Sequence, residues 1–206
     1  MKKVLSAIAC FYFLCSSAFA LPFDELNKML SSFETLTGEF DQVLSSDKGR
    51  VLQESTGKVM ISRPGKFRWD QVSPLQQLII VSGNDVTIFD PELEQVSKRS
   101  LAHSMDVAPA LLLSGNVDKL DALFDVTHVD SADPAESWFR LSSKDADSLM
   151  SVIVLGFKFD KISAMQMRDS LGHVTEIRFS HVLINSPLSN ILFEFTAPDG
   201  VDVIYE

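Results

Sequence analysis

The stretch SRPGKFRWDQVSPLQQLIIVSGNDVTIFD, residues 62–90, decides the fold. Side chains in a strand alternate between two faces, so Phe67 and Trp69 share one face while Lys66 and Arg68 take the other. Two further apolar runs follow, each bounded by turn-forming residues. A single aromatic of this kind usually closes a core. The repeated pattern predicts a whole sheet with one apolar and one polar face.

Turn-forming Gly, Pro and Asn residues punctuate the chain on both sides of this stretch, which indicates antiparallel strands. We expect hairpin turns at residues 169–172 and 185–187. The predicted strands lie near residues 37–45, 50–62, 66–72, 76–82, 85–89, 94–98, 125–130, 137–142, 152–160, 162–168, 173–183 and 190–196.

Two regions have helical periodicity instead. Residues 22–32 place Leu26, Met29 and Leu30 at helical spacing, so we predict an amphipathic helix there. Residues 102–124 contain an apolar cluster that predicts two short helices inserted between the strands. The chain shows no internal repeat, linker or low-complexity segment, and one domain is therefore the simplest division.

The first residues predict export. Lys2 and Lys3 precede an apolar run, and small residues at Ala18 and Ala20 form a cleavage site. We expect residues 1–20 to be a cleaved signal peptide, because the run is shorter than the roughly 20 apolar residues of a membrane anchor. A lipoprotein signal is the competing interpretation, but neither cysteine in this region fits its usual position.

Charge and cysteine content restrict the function of the remaining domain, residues 21–206. Removal of the signal peptide with its two lysines changes the formal charge from −10 to −12. This negative charge argues against nucleic acid as a partner. Both cysteines of the 206-residue chain lie in the signal, so no disulfide is expected. The domain must therefore rely on its apolar core.

Catalytic and metal-binding patterns are missing. The sequence has no nucleophile elbow, zinc-protease motif, phosphate loop or dinucleotide fingerprint. Its four histidines are scattered, and the pair Asp145 and Asp147 supplies too few oxygens for Ca²⁺. A Ser-x-x-Lys string at residues 45–48 falls in a polar turn. We predict no enzyme activity, no catalytic residue, no metal and no cofactor.

A set of residues in the first six predicted strands and near the end of the chain matches one known family in order and spacing. These residues are Phe40, Gln42, Gly57, Arg63, Pro64, Phe67, Trp69, Pro74, Gly83, Phe89, Asp90, Pro91, Glu94, Gln95, Phe193, Phe195, Pro198, Gly200 and Val201. On them the sequence resembles the LolA family of periplasmic outer-membrane lipoprotein carriers. The resemblance covers nearly all of residues 21–206 and is most specific between residues 57 and 95.

This resemblance implies a mainly β fold, a single-domain unclosed antiparallel half-barrel whose apolar cavity lies under a lid of short helices. It implies a monomeric periplasmic chaperone that binds the acyl chains of lipoproteins. An inner-membrane ABC transporter would release the cargo, and an outer-membrane acceptor would receive it.

The resemblance also assigns roles to individual residues. Arg63 matches the family arginine that hydrogen-bonds backbone carbonyls of a lid helix, whereas by position alone it reads as an exposed arginine before Pro64. Lys66 and Arg68 are either a docking patch or ordinary solvated charge. The residues expected to form the cavity and lid are Phe67, Trp69, Leu26, Met29, Leu30, Leu111, Leu112 and Leu113.

Three other functions remain open at this point. The same half-barrel could carry another lipid or amphiphile, which the cavity contents would distinguish. A periplasmic sensor of lipoproteins would need a further domain, and a hydrolase would need a buried Ser or His with a carboxylate partner. Whether the apolar region 152–167 lines the cavity is also open.

Overall fold

A computed structural model of the chain describes residues 21–101, 112–114, 120–148 and 150–206. The predicted signal peptide lies outside the described residues, and so does most of the predicted helical region 102–124. Within that region, residues 112–114 and Leu120–Leu123 are helical. No described helix is long and apolar enough to cross a membrane.

The first element is helix α1, Pro22–Leu30, two residues shorter than predicted. Pro22 suits the first helical turn, where its missing N–H would have no partner. Asp24 and Glu25 lie at the positive end of the helix dipole. Leu26 and Leu30 are four residues apart on one face, and both are completely buried. The helix therefore attaches to the rest of the fold through an apolar stripe.

Twelve strands form one sheet. They are β1 (Thr35–Ser45), β2 (Val51–Ser62), β3 (Lys66–Ser73), β4 (Gln77–Ser82), β5 (Asp85–Asp90), β6 (Gln95–Ser100), β7 (Phe124–Val129), β8 (Glu136–Ser143), β9 (Met150–Lys158), β10 (Lys161–Asp169), β11 (Val174–Ile184) and β12 (Asp202–Tyr205). The first eleven confirm predicted strands to within about two residues at each end.

The strand order is β12-β6-β5-β4-β3-β2-β1-β11-β10-β9-β8-β7. Two meanders, β1 to β6 and β7 to β11, meet where β1 pairs with β11 in antiparallel register. The sheet ends at β7 on one side and β12 on the other, so the barrel is unclosed, as expected. All pairings are antiparallel except that of β12 with β6.

We name the two ends of the sheet by their turns. The lid end holds the β2–β3 turn, and the far end holds the β1–β2 turn. Strand β1 runs from the lid end to the far end. The core fills the concave face, where one continuous cluster of buried apolar side chains joins both meanders, α1 and residues 112–113.

Glycine is required at one point of this face. The β carbon of any other residue at position 57 would lie 2.6 Å from Cζ of Phe40, its cross-strand partner, and closer still to the Asp70 carbonyl oxygen. The absence of a side chain on Gly57 lets the Phe40 ring lie flat across β2. This ring then stacks on Trp69 of β3, with 3.6 Å between ring centroids.

The end of the chain differs from the prediction. Residues 190–196 are not a strand: Asn190–Phe193 is a short 3₁₀ helix that lies against β3 and β4. Phe193 is buried, and Phe195 packs on Phe89 of β5 at 5.2 Å. Alternating phenylalanines fit a strand equally well, so the pattern alone misassigned a segment that crosses the sheet. Residues 185–187 accordingly lead into this segment and do not form a hairpin.

Strand β12 was not predicted. Its four residues are all exposed, so they lack the alternation of apolar and polar side chains that marks a half-buried strand. It is recognisable only through its hydrogen bonding along β6.

Lys66 and Arg68 form hydrogen bonds with this C-terminal segment. The Lys66 ammonium donates to Oδ1 of Asn190 at 2.6 Å, and the Arg68 guanidinium donates to the Leu192 carbonyl at 3.0 Å. Arg68 also pairs with Asp70 at 3.0 Å. These cations therefore have a role that neither earlier interpretation included: they fasten the segment 190–205 to the sheet.

Replacing Gly57 by Ala should lower the free energy of unfolding by about 1–3 kcal/mol, because Phe40 and the Asp70 carbonyl cannot both move away. Urea unfolding measures the change. Gly38→Ala is the matched control in β1, where the added carbon would stay 3.3 Å from its nearest neighbours, and it should cost less. Equal stability of the Gly57 variant and the parent would contradict this account of the packing.

Replacing Arg68 by Ala should loosen the segment 190–205, because the Leu192 carbonyl then loses its charged hydrogen-bond donor. Amide hydrogen exchange in peptides from this segment should become about fivefold faster. Lys58→Ala removes an exposed cation from neighbouring β2 and should leave the exchange unchanged. Identical exchange in both variants would show that Arg68 does not hold the segment.

Candidate functional site

The concave face has an aromatic centre. Phe67 and Trp69 of β3 lie on it, as their spacing predicts, and both are buried. Their rings are near parallel at 6.0 Å, and Phe179 of β11 meets Trp69 edge-on at 6.5 Å. Phe67 is therefore enclosed within the aromatic centre. Together with Phe40 these rings form a broad apolar wall that contains few polar atoms.

The second meander completes the wall. Alternate residues of region 152–167 point to the concave side and belong to the buried cluster, which answers the question left open by the sequence. These residues are Ile153, Leu155, Phe157, Ile162, Met165 and Met167. Two flexible methionines at the centre of such a wall suit contact with apolar groups of variable shape.

Short helices cover the wall. Leu26 and Leu30 of α1 and Leu112 and Leu113 of the 112–114 segment are buried in the same cluster. Met29 is partly buried and packs against it. Leu111, the remaining residue predicted for the lid, lies outside the described residues. We call α1 and residues 112–114 together the lid.

Arg63 connects the sheet to the lid. Its Nε and Nη2 both donate to the Leu113 carbonyl oxygen, at 3.2 Å and 2.9 Å. The same guanidinium lies over the Phe33 ring, 4.3 Å from its centroid. One side chain thus contacts the 112–114 segment through hydrogen bonds and Phe33, three residues after α1, through its aromatic ring.

Burial lowers the pKa of Arg63 to about 10. The guanidinium therefore keeps its charge at neutral pH, and its two hydrogen bonds stay charge-assisted. Because a carbonyl carries only a partial charge, this attachment is weaker than an ion pair with a buried carboxylate. The geometry suits a contact that holds the lid and can be broken.

A second attachment was missed by the sequence reading. The backbone N–H of Gly65 donates to the Ser114 carbonyl at 3.0 Å, one residue beyond the carbonyl that Arg63 binds. Gly65 has a φ of 72°, a conformation that glycine adopts readily, and this aims its N–H at the lid. A glycine directly after Pro64 was the available signal, but only the turn geometry shows its partner.

Helix α1 has one polar contact with the sheet edge. Glu25 lies 3.2 Å from Nε2 of His128 on β7, and the His128 ring packs on Phe139 at 4.9 Å. Both side chains remain well exposed, so the contact contributes little to stability. The attachment of α1 is therefore mainly apolar.

A groove of about 500 Å³ lies outside the lid, between the end of α1 and the end of β11. Its lining includes Ser31, Ser32, Glu34 and Asn185, so it is too polar to suit hydrocarbon chains. The described residues also contain no group of three or more potential metal ligands. The covered concave wall is therefore the candidate site, and it is built for apolar binding.

Sequence comparison finds close relatives. The family described as outer membrane lipoprotein carrier protein LolA matches residues 31–196. A protein of Hahella chejuensis is 42% identical over 89% of this chain and 88% of its own length. One of Dechloromonas aromatica is 40% identical over 100% of this chain and 98% of its own length. Both are named outer-membrane lipoprotein carrier protein.

Solved structures share the fold at low identity. A LolA superfamily protein of Nitrosomonas europaea has a TM-score of 0.51 at 12% identity, covering 84% of this chain and 96% of its own. An uncharacterised conserved protein of Thermus thermophilus has a TM-score of 0.55 at 10% identity, covering 89% and 97%. These two structures support the half-barrel architecture.

Proposed function

The chain belongs to the LolA family of outer membrane lipoprotein carrier proteins, and from this premise we propose how it handles its cargo. It is a periplasmic carrier of lipoproteins and not an enzyme. We propose that it takes up acylated lipoproteins released by an inner-membrane ABC transporter and delivers them to an acceptor on the outer membrane.

The observation that carries this proposal is an apolar wall covered by a lid that has few polar attachments in the part of the chain that the structure describes. The buried cluster spans both meanders, and the lid contributes Leu26, Leu30, Leu112 and Leu113 to it. When acyl chains replace those side chains, one apolar surface is exchanged for another. Among the contacts of the described residues, the hydrogen bonds of Arg63 and Gly65 to the lid are then lost on opening without replacement.

The energetics explain why a carrier is needed. Each CH₂ group transferred from water into an apolar site gains about 0.8 kcal/mol, so one long acyl chain gains on the order of ten kcal/mol. A lipoprotein with several chains cannot cross water unaided at a useful rate. The carrier must offer comparable burial, yet its empty state must also be stable if cargo is to leave.

Roles for individual residues follow from this requirement. We propose that Arg63 controls the lid, because its contact with the Leu113 carbonyl favours the closed, empty state. Phe67 and Trp69 act as the wall against which acyl chains lie. Leu26, Met29, Leu30 and the leucines at 111–113 move away with the lid. No covalent chemistry is involved.

The remaining parts of the proposal concern the chain as a whole. Residues 1–20 act as a signal that is cleaved after Ala20, and residues 21–206 form one domain that works as a monomer. The single continuous sheet of the described residues supports one domain.

Intact mass spectrometry of the protein, gently purified from a periplasm, tests the cargo directly. Bound acylated lipoproteins are the expected result. Free lipids in place of lipoproteins would instead indicate a general lipid carrier. Protein that is always empty would contradict cargo binding under these conditions.

Replacing Arg63 by Leu should leave folding and acyl binding intact but impair release. The variant loses two charged hydrogen bonds to Leu113 that favour the closed state. The ratio of open, loaded protein to closed, empty protein should therefore increase roughly tenfold to a hundredfold. Transfer of a labelled lipoprotein from the carrier to outer-membrane vesicles measures release.

Arg50→Leu is the matched control, because Arg50 is exposed in the β1–β2 turn at the far end. Arg63→Lys keeps the charge but loses the planar pair of donors, and an intermediate rate is expected. Release by Arg63→Leu at the rate of the parent would remove Arg63 from the mechanism.

A further inference from the structure

The concave wall is not apolar throughout. Near the far end, six consecutive strands each present a polar side chain on this face, which we call the polar belt. Its members, from β1 to β6, are Gln42, Ser55, Gln71, Gln77, Asp90 and Gln95. Toward the lid end, the next positions are occupied by Phe40, Gly57, Trp69, Ile79 and Ile88.

Strand register places these residues together. Gln42 pairs with Ser55, Gln71 with Gln77, and Asp90 with Gln95. Across the β4–β5 pair, the Gln77 amide donates to Asp90 at 2.9 Å. Between β2 and β3 the belt steps one position toward the lid end, because Gln71 pairs with Gly57 and not with Ser55. With this one step, the belt follows one end of one meander.

The other meander has no such belt. At the level of Gln42, the neighbouring strands β11 to β8 present a row of apolar residues. This row consists of Ile177, Met165, Leu155 and Phe139, all fully buried. A molecule held on the concave face would thus meet hydrocarbon on one side and hydrogen-bonding groups on the other.

Ser55 is a fully buried member of the belt whose side chain lacks a partner. Its side chain is 98% buried, yet its Oγ has no hydrogen-bond partner among the residues that the structure describes. By contrast, the amide of Gln71 already donates to the Leu75 carbonyl at 2.9 Å. A buried hydroxyl without a partner destabilises a protein, so its place on a binding wall points to a ligand acceptor.

We propose that the polar belt binds the carbonyl-bearing linkage between the acyl chains and the protein part of the cargo, with the Ser55 hydroxyl donating to an ester carbonyl. The hydrocarbon then lies against the apolar wall of β8 to β11 and toward the lid end. This inference rests on the proposed carrier function and adds an orientation for the cargo. It also names a group that distinguishes acyl esters from plain hydrocarbon.

Two lipopeptides with the same chains and peptide test the inference. One carries its chains on glycerol through ester bonds, and the other through ether bonds, which lack the carbonyl. Competition with a fluorescent fatty-acid probe gives both dissociation constants. The parent protein should bind the ester about fivefold more tightly than the ether, as expected for one hydrogen bond.

Ser55→Ala should bind both lipopeptides with the affinity of the parent for the ether. Ser180→Ala, which removes an exposed hydroxyl from β11, should keep the preference for the ester. In thermal unfolding without ligand, Ser55→Ala should be at least as stable as the parent, because it removes a buried hydroxyl that has no protein partner. That result separates a binding role from a structural one.

The possible failures are distinguishable. Equal binding of ester and ether by the parent would overturn the inference and leave the carrier function standing. A preference that survives in Ser55→Ala would overturn the role of Ser55 in the same way. If neither lipopeptide bound to the parent, the proposed function would fail, and the inference with it.

Discussion

Burial of the lid against the concave face is the interaction on which the rest of this structure depends. Helix α1 has nine residues, too few to be stable alone in water, and only packing of Leu26 and Leu30 keeps it helical. The sheet in turn needs the lid, since an exposed apolar wall of this extent favours aggregation. Each part stabilises the other, and in the proposed function acyl chains substitute for either part.

Much of this arrangement can be read from the sequence. Period-2 alternation located eleven strands, and the family resemblance placed Arg63, Phe67 and Trp69 in the region where the structure has the wall and the lid contact. These features are visible because they depend on local spacing. The segment 190–196 was misassigned for the same reason. The local spacing indicates that Phe193 is buried, but it does not show which surface of the sheet Phe193 covers.

The polar belt could not be predicted in this way. Gln42, Ser55 and Gln71 lie on different strands. Gln42 is among the residues that match the family, but its spacing does not show what it faces, and Ser55 and Gln71 are ordinary polar residues in the sequence. Only strand register shows that they lie on one face and within one position of each other along it. Likewise, the hydrogen bond from Gly65 to the Ser114 carbonyl can be seen only in the folded chain, because it depends on the β2–β3 turn lying next to residue 114. Contacts that depend on pairing between distant strands produce no periodic pattern in the sequence.

The pairing of β1 with β11 also sets the order in which the chain can mature during translocation. A chain that crosses the membrane from its N-terminus delivers residues 35–45 early, but their partner at residues 174–184 arrives almost last. Until then the first meander has an apolar face without its counterpart. On the proposed export route, this apolar face is the part of the newly exported chain most prone to aggregation until β11 pairs with β1.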